Sequence, residues 1–223
     1  MKTITITLAI AVFFTISARG QGFQNLDFES AQNLPGNPGS GELVPVTNAL
    51  PGWTAYDGIL PGALALSSIY YVSNTLNVAG SVELEGGSLA LSGNLSVELY
   101  LNSAISQTGS VPANAGSLQF EAKGLGPDDS LGASALEVTL GGQNLSYSAL
   151  SDGPDYIVYG ANIPAGMDNE MEELIFSCEG IGSGQVLLDN IEFSSMSVPE
   201  PSTCALLGLG VILLGLRRCR KPL

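Results

Sequence analysis

The sequence predicts an all-β fold: one antiparallel β-sandwich over residues 21–197, with a short hydrophobic helix at each end of the chain. Three observations predict it. Short runs alternate apolar and polar side chains, the period of a strand with one buried face. The 28 glycines and 12 prolines interrupt the chain too often for ordinary helices, and no segment keeps a 3.6-residue apolar period. The two oily stretches, residues 4–16 and 203–216, lie at opposite ends, each beside basic residues.

The first element is MKTITITLAIAVFFTISARGQ. Lys2 precedes the apolar core, and Ala18-Arg19-Gly20 places small residues at the −3 and −1 positions of a cut before Gln21. Core and cut have the layout of a secretory signal peptide, which is too short to span a membrane stably. Residues 1–20 therefore read as a removable signal helix. The competing reading is a buried N-terminal strand or helix.

Residues 31–51 contain PGNPGSGELVP and read as a loop excursion outside the sheets. In Ser81-Val82-Glu83-Leu84-Glu85 the aliphatic side chains take one face and the carboxylates the other. Gly86-Gly87 and a second alternating run, residues 88–92, predict a tight hairpin there, because glycine tolerates the positive φ such turns require. The same logic applies to residues 136–140, Gly141-Gly142 and residues 145–148. Residues 95–101, 117–122, 156–159, 173–178 and 186–193 are further strand candidates. Turn signals between them argue an antiparallel sandwich. A parallel β-helix is the alternative, but its fixed coil-length repeat is missing.

The last element, residues 198–223, begins Val198-Pro199-Glu200-Pro201. Its apolar stretch of 14 residues is followed at once by Arg217, Arg218, Arg220 and Lys221. A bilayer core of ~30 Å needs roughly 20 helical residues, so this is a marginal span, and adjoining cations hold their side in the cytoplasm. A buried hydrophobic helix is the competing reading, and four abutting cations argue against it. Motif, oily segment and arginine cluster, in this order, resemble the PEP-CTERM sorting signal of exported bacterial proteins. The resemblance implies processing by an exosortase near the Pro-Glu-Pro motif, transient anchoring in the membrane, and delivery to the cell surface or extracellular matrix.

Without these ends the charge balance changes. Of seven cations only Lys123 lies between Gln21 and Pro201, and all 21 acids lie there. Such a surface repels phosphates and anionic lipid and favours divalent cations, which excludes nucleic acid as a partner. The chain has no histidine, which removes Ser-His-Asp and Cys-His catalysis and His-ligated metals. Cys178 is the one cysteine outside the C-terminal segment. It cannot form an internal disulfide, and within EELIFSCEG it reads as a small buried apolar residue.

A second resemblance spans most of residues 21–197. Asn25-Leu26-Asp27-Phe28-Glu29 resembles the first strand of galactose-binding-like, carbohydrate-binding jelly rolls, and Pro51-Gly52-Trp53 an element that follows it. Residues 105–108, Val111-Pro112 and residues 118–120 resemble the central strand pair, and residues 188–193 the closing strand. The resemblance implies a jelly-roll-like sandwich. It also implies a structural calcium ion joining first and last strands, for which Asp27, Glu29 and Asp189 are the candidate ligands. The competing reading is solvated acids at strand ends. No EF-hand spacing is present around Asp128-Asp129 or Asp152-Gly153-Pro154-Asp155.

Sugars stack on flat aromatic rings, which makes Trp53, Tyr56 and Tyr70 candidate glycan contacts; Trp53 has a second reading as a core anchor. Tyr70 and Tyr71 must point to opposite faces of a strand. Hydrolysis would need two facing carboxyls. Glu83/Glu85 and Asp168/Glu170 have same-face spacing, but nothing in the sequence marks a cleft. Asn94-Leu95-Ser96 and Asn144-Leu145-Ser146 match the glycosylation triplet by chance. The expected function is therefore a non-enzymatic, exported surface or matrix protein that interacts with exopolysaccharide. A carbohydrate-binding module and a carboxylate-based glycoside hydrolase are the alternatives.

Overall fold

Alternating runs become strands because each buries one row of side chains and leaves the backbone to pair laterally. The chain, seen in a computed structural model, is described over residues 22–36, 41–73, 80–125, 135–179 and 184–198. Both hydrophobic end segments lie outside these residues. Among the described residues no helix is long and apolar enough to cross a membrane.

In chain order the elements are β1 (Glu42–Pro45), α1 (Val46–Ala49), β2 (Thr54–Asp57), β3 (Leu64–Ala65), β4 (Ser68–Ser73) and β5 (Val82–Gly86). There follow β6 (Leu95–Tyr100), β7 (Ser103–Ser110), β8 (Ser117–Gly124), β9 (Ala135–Leu140) and β10 (Gln143–Asn144). The last are β11 (Tyr147–Asp152), β12 (Ile157–Asn162), β13 (Met171–Glu179) and β14 (Gln185–Ser194). One sheet has eight strands in the order β1-β4-β5-β6-β14-β8-β12-β11, the other six in the order β10-β9-β13-β7-β2-β3. Pairing is antiparallel except between β4 and β5. From β6 to β9 successive strands alternate between the sheets, as do β12, β13 and β14. Every crossing spans the core.

The core is the inner faces of both sheets. Phe120 of β8 stacks on Tyr159 of β12 at 5.7 Å and meets Phe176 of β13 edge-on at 5.4 Å, so the two sheets touch through aromatic rings. Burying each such side chain contributes roughly 1.5–3 kcal/mol, and Phe28, Leu84, Leu99, Leu118, Leu174 and Leu188 are fully buried with them.

Three local expectations are corrected. Residues 25–29 form no strand. Asn25 and Phe28 take positive φ (49° and 55°), and the segment is a turn-rich strap that buries Phe28. Gly86-Gly87 makes no tight hairpin, because a short 3₁₀ turn, Gly87–Leu89, leads the chain to β6, which is the antiparallel partner of β5. Residues 31–51 are not wholly outside the sheets, since β1 pairs with β4 and α1 buries Val46 and Ala49. Gly141-Gly142 does form a tight turn, with φ of 57° and 72°, but it pairs β9 with the two-residue β10 rather than with residues 145–148, and Tyr147–Asp152 form β11 in the other sheet.

Candidate functional site

Over β5 and β6 the outer face of the eight-stranded sheet is acidic and buried. Strand alternation decides which side chains stand there. Val82 and Leu84 of β5, and Val97 and Leu99 of β6, enter the core. Glu83, Glu85, Ser96, Glu98 and Tyr100 therefore point outward. Register then pairs Glu83 with Glu98 and Glu85 with Ser96 across the ladder. Glu83, Glu85 and Glu98 each bring a carboxylate oxygen within 4.8 Å of the others, and their exposure is only 1%, 1% and 2%. No other group of three acidic or cysteine ligands this close occurs among the described residues.

Charge in this place is expensive. Two charges within 4.8 Å of one another repel by at least roughly 3 kcal/mol at an effective dielectric of ~20. Burial, and then the Glu98 charge, push the Glu83 carboxyl up to about 7. Burial followed by Glu98 and Glu83 push Glu85 up to about 9. Burial also raises Glu98. The Tyr100 phenol is raised by its own burial and then by the three carboxylates, and it hydrogen-bonds Glu83 and Glu98. Buried charges are ordinarily paired with cations or metals. Lys123, the sole basic residue between Gln21 and Pro201, holds Asp155 at 2.9 Å, the only ion pair among the described residues. Glu83 Oε1 and Glu85 Oε2 are buried without any hydrogen-bond partner.

The acids predicted to hold calcium are arranged differently. Asp27, Glu29 and Asp189 do line one pocket, of about 190 Å³, with Ser92, Gly93 and Asn190. The oxygens of Glu29 and Asp189 are already supplied with donors. Glu29 Oε1 accepts the backbone N–H of Asn94 (2.5 Å) and of Leu95 (3.0 Å), while Oε2 accepts from Asn94 Nδ2 (3.1 Å). Gly93, at φ 60°, permits this approach, because a Cβ there would collide with Glu29 Oε1. Asp189 Oδ2 accepts from Ser96 Oγ (2.7 Å) and Ser92 N (3.2 Å), and Oδ1 from Asn190 N (2.7 Å). Burial raises Asp189 to about 7 despite these bonds. Asp27 Oδ1 accepts from Glu29 N at 3.3 Å. Glu29 and Asp189 thereby cap the connection between β5 and β6.

The aromatic candidates do not share a surface. Trp53 is buried, its ring 5.7 Å from Phe28 and 6.4 Å from Phe176, and its Nε1–H donates to Asn25 O at 3.0 Å. Both ring faces therefore serve the core, and Trp53 takes the anchor reading rather than the glycan one. Tyr56 stands on the outer face of the six-stranded sheet beside Ser106, and Tyr70 on that of the eight-stranded sheet, opposite Glu83. Asp168 and Glu170 lie in an exposed turn, and the burial of Glu83 and Glu85 leaves them no access to a glycosidic bond. Cys178 is buried, which pushes its thiol up to about 11. Asn94 and Asn144 both spend their side chains on acids, Glu29 and Glu137.

Of the sorting segment, Val198 alone is described; Pro199, Glu200, Pro201, Arg217, Arg218, Arg220 and Lys221 lie outside the described residues. Val198 is docked on the sandwich. Its N–H donates to Asn162 Oδ1 at 2.6 Å, its carbonyl accepts from Asn162 Nδ2 at 3.3 Å, and its side chain covers Gly160. Val198 lies four residues past β14 and is the last described residue. Residues 197–221 match the PEP-CTERM protein-sorting motif.

That motif is an export signal of a membrane-associated sorting route, consistent with a cell-surface destination. No curated protein matches the chain. Among solved structures, the chain is similar to TmCBM61 in complex with β-1,4-galactotriose. Identity is 13% and the TM-score 0.30, over 51% of this chain and 81% of that one. It is also similar to the N-terminal cellulose-binding domain of Cellulomonas fimi β-1,4-glucanase C. There identity is 13% and the TM-score 0.31, over 74% of this chain and 99% of that one. At these scores neither likeness bears on function.

Sequence reasoning singled out Glu83 and Glu85 but missed Glu98 as their partner. The alternation of residues 95–100 signals that Glu98 shares a face with Ser96 and Tyr100. The register that sets it against Glu83 is carried by no local pattern.

Proposed function

We propose that this protein is a non-catalytic, exported surface or matrix protein, a jelly-roll-like sandwich delivered by its C-terminal PEP-CTERM segment and processed by an exosortase. The observation that carries the reading is the sorting motif at residues 197–221, which starts where the sandwich ends. The absence of histidine and the shortage of basic residues support it from the composition side. The membrane is engaged through the segment beyond Val198, with Arg217, Arg218, Arg220 and Lys221 on the cytoplasmic side. Exopolysaccharide is the matrix partner this reading names. A divalent cation, calcium above all, is the natural bridge between an acidic protein and an acidic polymer.

The test is expression with and without residues 199–223 in a host that carries an exosortase, followed by fractionation. Full-length protein is expected in the envelope or matrix fraction and the truncated protein in the medium. Identical distribution of the two would sink the proposal.

A further inference from the structure

We propose that Glu83, Glu85 and Glu98 form a binding site for a hard divalent cation, calcium in the first instance, on the outer face of the eight-stranded sheet. Two ligands of one calcium ion, each about 2.4 Å from it, lie at most about 4.8 Å apart. The three carboxylates meet that limit. Calcium takes six to eight oxygens at roughly 2.3–2.6 Å, and three carboxylates offer six, with the Tyr100 hydroxyl beside them. An oxygen-only set of this kind disfavours zinc, which prefers nitrogen and sulfur.

The acids alone would carry no site. What points to a ligand is that Glu83 Oε1 and Glu85 Oε2 are buried, have no donor, and belong to the carboxylates of this group. Gly80 packs directly against this carboxylate, where a Cβ would stand 2.9 Å from Glu83 Oε1, and its backbone hydrogen-bonds the Glu83 carboxyl. Among the described residues the one basic side chain, Lys123, is engaged with Asp155. The strap acids Glu29 and Asp189 show the contrast, because backbone N–H groups and a serine hydroxyl fill their oxygens. The ion would tie β5 to β6 where buried carboxyls face each other across the ladder. It is independent of the sorting reading.

The experiment is equilibrium dialysis of the full chain in detergent, stripped with chelator, against radiolabelled calcium at up to about 1 mM, where extracellular calcium sites work, in about 0.15 M salt. The wild type is expected to bind about one ion per chain. The pair Glu85→Gln/Glu98→Gln should lose it, and the pair Glu29→Gln/Asp189→Asn should keep it. Melting in chelator checks folding, and the Glu85→Gln/Glu98→Gln protein should melt no lower than wild type. If that protein does not fold, Glu98→Gln alone should weaken binding by roughly 100-fold. No binding by the wild type, equal binding by all variants, or loss only in the Glu29/Asp189 pair would overturn the site. The first of these would mean that the three carboxyls share protons instead.

Discussion

Glu29 and Glu85 are both carboxylates on the outside of the same sandwich, yet their surroundings are opposite. Glu29 reaches from the N-terminal strap onto the β5–β6 connection and collects two backbone N–H groups and an amide. Glu85 lies along a strand whose N–H and C=O groups are committed to the ladder; Val72 and Ser96 stand opposite it, and its carboxyl hydrogen-bonds only other acids, Glu98 and Glu83. The difference teaches that a turn can solvate an anion internally and a strand cannot. Acids placed on turns hold the fold together; acids placed side by side on a covered strand need a proton or an ion.

The largest expected effect breaks the comparison by pH. In chelator, Glu83 and Glu85 keep their protons in the folded protein up to about 7 and about 9, whereas an unfolded carboxyl loses its proton near 4.5. The folded state therefore binds more protons than the unfolded one between those limits, and stability falls as pH rises. The loss expected between pH 5 and 9 is on the order of 4 kcal/mol, read by urea unfolding at each pH. Constant stability across that range would show the group to be solvated.

Next, Glu29→Ala removes the acceptor for Asn94 N and Leu95 N and should cost about 2–3 kcal/mol. Glu98→Gln, in chelator at pH 8, should act in the other direction, stabilising by about 1–2 kcal/mol because it relieves repulsion among buried like charges. Unfolding curves of the two variants beside wild type test both, and a same-sign outcome would erase the distinction. The smallest effect is at the exit from the sandwich. Asn162→Ala removes the bracket on Val198 and should cost about 1 kcal/mol, with faster protease nicking near residue 198. Unchanged nicking would mean that Val198 is held by its side chain over Gly160 alone.

Much of the fold was legible. Residues 117–122, 136–140, 173–178 and 186–193 read as strands and fall inside β8, β9, β13 and β14, because alternation and burial coincide there. The strap was misread as a strand because Leu26 and Phe28 also alternate. What decides its shape is non-local, a carbonyl of Asn25 taken by Trp53 and one of Leu26 taken by the N–H of Ile191. The gathering of Asp27, Glu29 and Asp189 about one pocket is a tertiary outcome of the same docking.

The amino-acid order by itself determined the strand period, the shortage of cations, the lack of histidine and the C-terminal address, since each is a property of neighbours along the chain. Only the tertiary structure decided that Trp53 faces inward and that Glu98 lands against Glu83 with their outer face covered. Register and burial depend on residues far apart in sequence, and no local pattern encodes which of a strand's two faces will be denied water.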